Sequence, residues 1–304
     1  MIIVTTDLIT LNYEYTFFNK LWGIIMFIKD LLKNKTFIIT GGGTGLGRSM
    51  AERMHELGAN IVISGRREDV LEKTVAEIDL DKTGRIYGVP CDVRKPEQVK
   101  EMVAKTVEKY SAVNGLINNA AGNFISPTER LSPGGFKVVV DIVLNGTFHC
   151  TLEVGKAMIA QKTGGSVLNI VTTYAWTGSG YVIPSVAAKA GVLAMTRGLA
   201  VEWAKYGIRT NAIAPGPFPT PGAWQRLVPK PYEQAMIDRI PLKRFGEHEE
   251  LANLATYLMS DQAGYINGDV VTIDGGEWLK GAGQFNQLEN LPAEIWEEMA
   301  KKRS

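Results

Sequence analysis

The glycine-rich segment TGGGTGLGR, at residues 40–48, is the first pattern in this chain that could do chemistry. It follows a short β-branched run and precedes an amphipathic helical pattern at residues 46–57. In such a strand–turn–helix unit, backbone N–H groups and the positive helix end can hold a pyrophosphate. A turn without a ligand is the alternative, because the glycine spacing departs from the plain G-x-G-x-x-G pattern. We predict a dinucleotide phosphate site formed by Gly41, Thr44, Gly45, Leu46 and Gly47.

The end of the next strand-like run carries the sequence SGRR, at residues 64–67. An acidic residue at that place would bind a ribose 2′-hydroxyl, whereas a guanidinium can pair with a 2′-phosphate through two hydrogen bonds. We therefore predict NADP(H) rather than NAD(H) as the cofactor, with Arg66 as the selecting residue. Arg48 would add a second positive charge, and Asp92, after the third strand, would reach the adenine. A solvated helix start is the alternative for the two arginines.

Short apolar strands alternate with amphipathic helical patterns from about residue 36 onward. The strands are predicted at residues 36–40, 60–64, 86–90, 115–118, 166–171, 209–213 and 270–273. The helices are predicted at residues 46–57, 68–78, 96–110, much of 133–161, 185–206 and 249–259. Apolar strands that alternate with helices indicate a parallel sheet with helices on both faces. Right-handed crossovers make this a single doubly wound, Rossmann-like α/β fold.

The chain divides into an extension at residues 1–31, one nucleotide-binding domain at 32–281 and a tail at 282–304. Residues 217–245 contain six prolines and are too long for an ordinary connection between a strand and a helix. We predict a lid over the carboxyl end of the sheet, with a surface insertion as the alternative. The tail should form a short helix that packs on the body or on a neighbouring subunit, because apolar residues recur there at helical spacing.

Composition excludes several classes of protein. The 304 residues are 45% apolar and carry 33 basic against 32 acidic side chains, which argues against nucleic-acid binding by bulk charge. Two cysteines cannot form a disulfide scaffold, and the three histidines show no metal spacing, so no metal site is expected. No apolar run reaches the length of a membrane span, and no leader pattern opens the chain. We therefore expect a cytoplasmic protein.

Residues 40–47, the NNAAG stretch at 118–122 and the Pro-Gly pair after the sixth strand resemble the short-chain dehydrogenase/reductase superfamily. The resemblance covers about residues 32–280 and implies a homotetramer. One element is missing, because Lys189 is present but the tyrosine expected four residues before it is replaced by Ser185. Another phenol, Tyr174, lies fifteen residues before the lysine. The further cofactor contacts that the resemblance implies are Asn119, Lys189, Pro215 and Gly216.

The displaced tyrosine, with the stretches at residues 118–133, 141–147 and 266–278, resembles the 2,4-dienoyl-CoA reductases of that superfamily. This resemblance implies NADPH-dependent reduction of a 2,4-dienoyl-CoA to a 3-enoyl-CoA in unsaturated fatty acid β-oxidation. It makes Tyr174 and Asn123 hydrogen-bond donors to the thioester oxygen, which gains negative charge in the reaction. The residues implied to complete the catalytic network are Lys189, Ser185 and Asn145. The residues implied to line the path of the acyl-CoA are Arg66, Arg94, Phe124, Ser132 and Arg226.

Two other functions stay open from the sequence. One is a different short-chain reductase that acts on a carbonyl or on another enoyl thioester. The other is a catalytically idle NADP-binding scaffold, in which Ser185 is only a helix-start residue after Pro184. The presence of Tyr174, Asn123 and Lys189 together argues against the idle scaffold.

Overall fold

The strands form one seven-stranded parallel sheet in the computed structural model, which describes residues 26–220, 224 and 230–302. The spatial order is β3-β2-β1-β4-β5-β6-β7, so the chain builds one half outward from the centre and then the other. The strands are β1 (Thr36–Thr40), β2 (Asn60–Gly65), β3 (Ile86–Pro90), β4 (Gly115–Asn118), β5 (Gly165–Ile170), β6 (Ile208–Pro215) and β7 (Val270–Ile273). The predicted doubly wound α/β fold is confirmed.

Helices cover both faces of this sheet. The helices in the described part of the chain are α1 (Gly45–Glu56), α2 (Glu68–Ile78), α3 (Pro96–Tyr110), α4 (Pro133–Val140), α5 (Gly146–Gln161), α6 (Tyr174–Thr177), α7 (Ile183–Glu202), α8 (Glu233–Arg239), α9 (His248–Met259), α10 (Glu277–Ala282) and α11 (Ala293–Lys301). Short 3₁₀ turns lie at Thr128–Arg130, Ala204–Tyr206, Lys230–Tyr232, Asp261–Ala263 and Asn286–Asn290.

Alternate residues of each central strand enter two different apolar cores, because successive strand side chains point to opposite faces. In β1, Phe37 and Ile39 pack with residues of α1 and α9 on one face. Ile38, between them, packs with residues of α3 and α5 on the other face. Burial on both faces explains why the strand sequences are continuously apolar rather than alternating.

Several element boundaries differ from the sequence predictions, and those of β6 and α7 differ most. Strand β6 extends to Pro215, beyond the predicted end at residue 213, because Pro215 still pairs with Ile273 of β7. Helix α7 begins at Ile183, two residues early, with Pro184 in its first turn, where the missing N–H has no helical partner to lose. It ends at Glu202 rather than at residue 206, since residues 204–206 tighten into a 3₁₀ turn.

The helical stretch predicted within residues 133–161 is one continuous helix that widens into a π-helical turn at Asp141–Asn145. By length and composition alone, Pro133–Gln161 could cross a membrane, with 29 residues and a mean hydropathy of 1.2, and it is the one such helix in the described part of the chain. Its inner side, which includes Val154 and Met158, lies in the apolar core beside the sheet. This packing accounts for its apolar character.

The two ends of the proline-rich segment at residues 217–245 are tied together. The N–H of Gly246 donates to the carbonyl oxygen of Pro217 at 3.0 Å, and Gly246 lies directly against the buried ring of Phe218. Trp224 donates from Nε1 to Glu233 at 2.7 Å. Arg226, predicted as a substrate contact in this segment, lies outside the described residues. The lid function therefore stays a prediction.

The tail forms the predicted helix, α11, but no side chain of α11 is buried within the described chain. Ile295 is 40% exposed, Trp296 44% and Met299 36%, so an apolar stripe faces outward. The structure therefore does not bury the tail helix against the body of the same chain. Packing on a neighbouring subunit remains the prediction.

Removal of residues 282–304 should reduce the size of the assembly while the unfolding temperature of each subunit changes little, because no side chain of α11 is fully buried within the described chain. Size-exclusion chromatography with light scattering, beside thermal unfolding, measures both. A full-length Ile295→Ser variant is the matched control for the stripe. Unchanged assembly in both variants would show that the tail is free.

Candidate active site

A cleft of about 760 Å³ lies at the carboxyl ends of β1, β2, β3 and β4. In open α/β sheets this edge is where ligands bind, since strand ends and helix N-termini meet there. Several residues predicted from the sequence line it together: Gly41, Thr44, Gly45, Leu46, Arg66, Asp92, Arg94 and Asn119. Gly47, Lys189, Pro215 and Gly216 are placed outside the lining of this cleft.

Glycine is required at specific positions of the loop between β1 and α1. Gly41 has φ +65° and Gly45 has φ +53°, values that L side chains rarely adopt. A Cβ on Gly47 would lie 2.5 Å from Nδ2 of Asn119 and would also clash with the carbonyl oxygen of Gly41. The loop therefore presents bare backbone to the cleft, and this cradle fits the phosphates of a dinucleotide. Gly47 does not line the cleft, but its missing side chain allows Gly41 and Asn119 to approach it closely.

The hydroxyl of Thr40 joins the ends of β1 and β4. It accepts the N–H groups of Asn119 and Ala120, each at 3.0 Å. Nδ2 of Asn119 returns a hydrogen bond to the carbonyl oxygen of Thr40 at 2.9 Å. These bonds hold the glycine loop against the second wall of the cleft, so Asn119 is a brace for the loop as well as part of the lining.

Arg66 and Arg67 both line the cleft and are exposed at the end of β2. Neither guanidinium makes a hydrogen bond or ion pair with another described residue, so both charges are available to a ligand. The prediction that Arg48 adds a second positive charge at this place is not supported. Its guanidinium pairs with Glu77 at 2.5 Å, and Arg48 does not line the cleft. The pairing neutralises its charge beside α2.

Asp92 and Arg94 form a two-pronged ion pair in the wall of the cleft. Nε of Arg94 donates at 2.9 Å and 3.0 Å, and its Nη2 at 2.5 Å, to the two carboxylate oxygens. These bonds hold the pKa of Asp92 below its ordinary value despite partial burial. The carboxylate predicted to reach the adenine is thus already engaged, and the charge of Arg94 is largely balanced.

A second group of polar side chains lies after β5, on α6 and α7. The Tyr174 hydroxyl is 2.8 Å from Oγ of Ser185, which is 2% exposed. Lys189 follows Ser185 by four residues and therefore shares its face of α7. The structure brings the displaced phenol to the serine that stands in the usual tyrosine position, although the two are eleven residues apart.

Lys189 is buried, and its Nζ donates to the carbonyl oxygen of Ile170 at the end of β5. Burial lowers the pKa of this ammonium from 10.5 to about 8, with no acidic side chain to offset the loss of hydration. At neutral pH the Lys189 ammonium therefore carries its positive charge at a pH close to its pKa. Such perturbed groups concentrate at functional sites.

Asn123 and Asn145 differ in what the structure does with their amides. Oδ1 of Asn123 accepts the N–H of Phe124 at 2.9 Å, which leaves its amide nitrogen available as a donor. Asn145 is exposed and donates to Oδ1 of Asp141 at 3.0 Å, within the π-helical turn. Part of the donor capacity of the Asn145 amide is therefore used within its own helix, and its role in the catalytic network stays a prediction.

The remaining predicted residues have structural partners. Phe124 packs on the apolar core that includes Val139. Oγ of Ser132 accepts the N–H of Gly135 at 3.1 Å and so caps α4. Pro215 ends β6, and a Cβ on Gly216 would lie 2.7 Å from Cβ of Asp274, so this turn accepts only glycine without displacement.

Sequence reasoning missed two threonines. Oγ1 of Thr172 is buried beside the end of β5 without a hydrogen-bond partner in the described residues. Thr172 lies thirteen residues before Ser185, the spacing at which the superfamily pattern places a serine, so a signal existed. Thr220 lines the cleft from the proline-rich segment, for which the sequence offered no distance information. Within the described ranges, no cluster of His, Cys, Asp or Glu is placed to hold a metal ion.

Comparison with known proteins gives consistent matches. A family model described as Enoyl-(Acyl carrier protein) reductase matches residues 41–277. A Bacillus subtilis protein named as a probable (2E)-enoyl-CoA-producing 2,4-dienoyl-CoA reductase is 47% identical over 252 residues, which cover 82% of this chain and 98% of the relative. An Arabidopsis thaliana protein, named as a peroxisomal (3E)-enoyl-CoA-producing 2,4-dienoyl-CoA reductase, is 37% identical, covering 90% of this chain and 93% of the relative.

A solved structure shows the same architecture. The crystal structure of a short chain dehydrogenase from Bacillus anthracis is similar with a TM-score of 0.75 and 48% sequence identity. The similarity covers 81% of this chain and 97% of that protein. The residues matched by the family model contain the cleft, Tyr174, Ser185 and Lys189.

Lys189→Met should raise the unfolding temperature of the cofactor-free protein at pH 7, because it removes a buried charge. The folded pKa of about 8 lies below the ordinary value of 10.5, so burial destabilises the native state fully below pH 8 and progressively less between those two values. We expect a gain of roughly 1 kcal/mol or more at pH 7 that shrinks by pH 9.5.

Thermal unfolding of both proteins at pH 7 and 9.5 measures this difference. Lys100→Met, on the exposed surface of α3, is the control and should give no such pH-dependent gap. A difference of equal size at both pH values would show that the lysine charge is not the cause. Cofactor titration of Lys189→Met should show the accompanying loss of binding.

Proposed function

Because the chain belongs to the short-chain dehydrogenase/reductase family, we propose that it reduces 2,4-dienoyl-CoA thioesters to 3-enoyl-CoA products with NADPH. Family membership makes it an oxidoreductase that uses a nicotinamide cofactor. The observation that carries the finer proposal is the 2.8 Å contact between the Tyr174 hydroxyl and Oγ of Ser185. It places a phenol beside the position where most members of the family have their tyrosine.

The substrate class follows from that displaced phenol and from the relatives. Because the phenol comes from α6 and position 185 carries only a serine, we infer more room beside Lys189 than a tyrosine at position 185 would leave. A conjugated thioester needs that room, because its reacting carbon and its oxygen are four bonds further apart than in a simple ketone. Relatives at 47% and 37% identity carry the name 2,4-dienoyl-CoA reductase, which supports the same substrate.

The nicotinamide cofactor, when bound, supplies a hydride to the δ carbon of the conjugated system. Negative charge then develops on the thioester oxygen. Tyr174 and the free amide nitrogen of Asn123 are the donors we assign to that oxygen. A neutral thioester carbonyl is a weak acceptor and the charged oxygen a strong one, so both bonds strengthen as the reaction proceeds. A proton delivered to the α carbon from water gives the 3-enoyl product.

Lys189 and Ser185 support this arrangement in different ways. The buried ammonium of Lys189 would donate to the ribose hydroxyls of the cofactor and keep the local potential positive. Ser185 would orient the Tyr174 hydroxyl through their mutual hydrogen bond. Thr172, with a buried hydroxyl and no partner, has a free donor at the same strand end.

The choice of NADPH rests on the charges around the cleft. No acidic residue ends β2, and the free guanidinium of Arg66 lies at the rim where a 2′-phosphate would be placed. Arg94 is balanced by Asp92 and Arg48 by Glu77, so neither competes for that role. The same free arginine would also attract the phosphates of the CoA group.

The wider setting of the proposal comes from the sequence. We propose a homotetramer that acts in unsaturated fatty acid β-oxidation. The cytoplasmic location stays a prediction, and the Arabidopsis relative is named as peroxisomal.

A second candidate is a reductase of a different enoyl thioester, which the description of the matching family model favours. NADPH oxidation measured with a 2,4-dienoyl-CoA, a 2-enoyl-CoA and a simple ketone separates the two. Turnover of the dienoyl-CoA alone supports the proposal. Preferential turnover of the 2-enoyl-CoA contradicts it. Mass spectrometry and NMR of the product show which double bond remains, a point on which the names of the two relatives differ.

Tyr174→Phe should lower dienoyl-CoA turnover roughly 100-fold or more, the usual effect of losing one donor to a developing oxyanion. NADPH affinity should stay nearly constant, since the phenol does not line the cofactor cleft. Ser185→Ala should lower turnover only about fivefold, because it removes one supporting hydrogen bond worth about 1 kcal/mol. Steady-state kinetics with NADPH titration measures all three.

Ser185→Tyr in the Tyr174→Phe background is the decisive control for the position of the phenol. It restores the usual family pattern but should not restore turnover, because the new side chain would occupy the space left for the thioester. Near-normal turnover in Tyr174→Phe, with loss in Ser185→Ala, would contradict the displaced-tyrosine mechanism.

Arg66→Asp should weaken NADPH roughly 100-fold and NADH little, since only the charge-assisted bonds to the 2′-phosphate are lost. Calorimetric titration with each cofactor gives the ratio. Arg48→Gln is the matched control and should leave it unchanged, because that guanidinium already pairs with Glu77. Equal weakening of both cofactors by Arg66→Asp would remove this residue from cofactor selection.

A further inference from the structure

His248 begins α9 at a point that is held firmly by its neighbours. Glu247 and Glu250 form a reciprocal capping box across the first turn. Arg244 adds a two-pronged ion pair to Glu250, at 2.6 Å and 2.8 Å. The buried residues Leu251 and Ala252 anchor the next turn in the core beside the sheet. The backbone of His248 is therefore fixed relative to the sheet.

The imidazole of His248 bridges two other elements. Nε2 lies 2.8 Å from the carbonyl oxygen of Pro219, and Nδ1 lies 3.1 Å from Oγ of Ser49 on α1. A carbonyl oxygen can only accept, so Nε2 carries the hydrogen of that bond. In the neutral ring Nδ1 is then the acceptor, and Ser49 is the donor. One ring thus links α9, the first turns of α1 and the start of the proline-rich segment.

The backbone that His248 holds lies directly on the phosphate loop. Pro219 precedes Thr220, which lines the cofactor cleft. A Cβ built on Gly45 would be 3.1 Å from Cγ2 of Thr220, closer than an ordinary van der Waals contact, so the threonine leaves room only for glycine at this point of the loop. Oγ of Ser49, the other partner of His248, also lies 3.2 Å from the carbonyl oxygen of Gly45, which is the alternative acceptor for its single hydrogen. Ser49 and Thr220, the residue after Pro219, therefore lie on the two sides of the same glycine.

We propose that His248 is a positioning residue for the cofactor. It does not line the cleft, and it acts by holding Thr220 and the first turn of α1 in register with each other on the two sides of Gly45. The contact of Thr220 with Gly45 lies at the end of the cleft where the pyrophosphate would bind. NADPH and NADH both contain this pyrophosphate. Arg66 lies at the other end, beside the 2′-phosphate position. The family membership of the chain is sufficient for this proposal, which does not depend on the substrate or on which nicotinamide cofactor is preferred.

Calorimetric titration of the full chain with NADPH and with NADH tests the proposal. His248→Phe keeps a ring of similar size and removes both hydrogen bonds, so both dissociation constants should rise by about fivefold or more, and by the same factor. His248→Gln retains a donor at the position of Nε2 and should stay within about threefold of the native protein. Ser49→Ala removes the bond to Nδ1 together with the contact between Oγ and the carbonyl oxygen of Gly45, but it leaves the bond to Pro219 intact and should also stay within about threefold of the native protein.

Three comparisons make the result decisive. Glu249→Gln, the exposed next residue of α9, should leave both dissociation constants unchanged. Adding Ser49→Ala to His248→Phe should weaken binding by less than Ser49→Ala does alone, because the bond between the two side chains is already absent. Thermal unfolding of each variant shows whether loss of binding tracks loss of stability; the proposal requires that His248→Gln recover affinity even where both histidine variants unfold at the same temperature.

Several outcomes would overturn it. Dissociation constants within twofold of the native values in His248→Phe would show that the bridge does not serve the cofactor. A change in the NADPH to NADH ratio would place the effect at the 2′-phosphate instead. Equal weakening by His248→Gln and His248→Phe would show that the bond to Pro219 is not what positions the loop. If the native protein itself prefers NADH, the NADPH assignment fails, and the same comparison still decides the role of His248.

Discussion

The contact between the ends of β1 and β4 is the constraint on which the cleft depends. One hydroxyl, that of Thr40, accepts two backbone N–H groups that would otherwise be unpaired beyond the end of β4. It thereby fixes the distance between the glycine loop and the wall that Asn119 and Ala120 form. Gly47 has no room for a side chain because this distance is so short. The bare, phosphate-binding loop is a consequence of how closely two parallel strands end beside each other.

The group of polar side chains after β5 includes Lys189, whose burial has a cost in stability. A buried lysine with no acidic partner favours the unfolded chain, where its ammonium is hydrated. The native state tolerates it through the carbonyl oxygen of Ile170, left free where β5 ends. A group near its titration point in a dry site suits a role in binding and catalysis better than a role in folding. A loss of stability of this kind is typical of active sites.

Charge around the cleft is decided by pairing rather than by the number of arginines. Arg48, Arg66 and Arg94 are all close to the glycine loop or the strand ends in sequence. Two of them are balanced by Glu77 and Asp92, and Arg66, beside the equally unpaired Arg67, offers its guanidinium to a ligand. Partial neutralisation confines the free positive charge to the end of β2 in place of a diffuse patch. A directed charge can distinguish two cofactors that differ by one phosphate, whereas a diffuse patch attracts any anion.

The sequence predicted the strands and most helix bounds because their signals are local. Burial on both faces makes a strand continuously apolar, and helical spacing marks the covering helices. The glycine loop and Tyr174 were found from short motifs, which are also local in sequence. Side-chain pairing is not local. The bond between Ser49 and His248 joins residues 199 apart in sequence. The engagement of Asn145 by Asp141, the neutralisation of Arg48 and the position of Thr220 over Gly45 likewise depend on how helices and loops pack on the sheet. Residue type and spacing name the groups capable of chemistry, and only their packing decides which of them remain free to perform it.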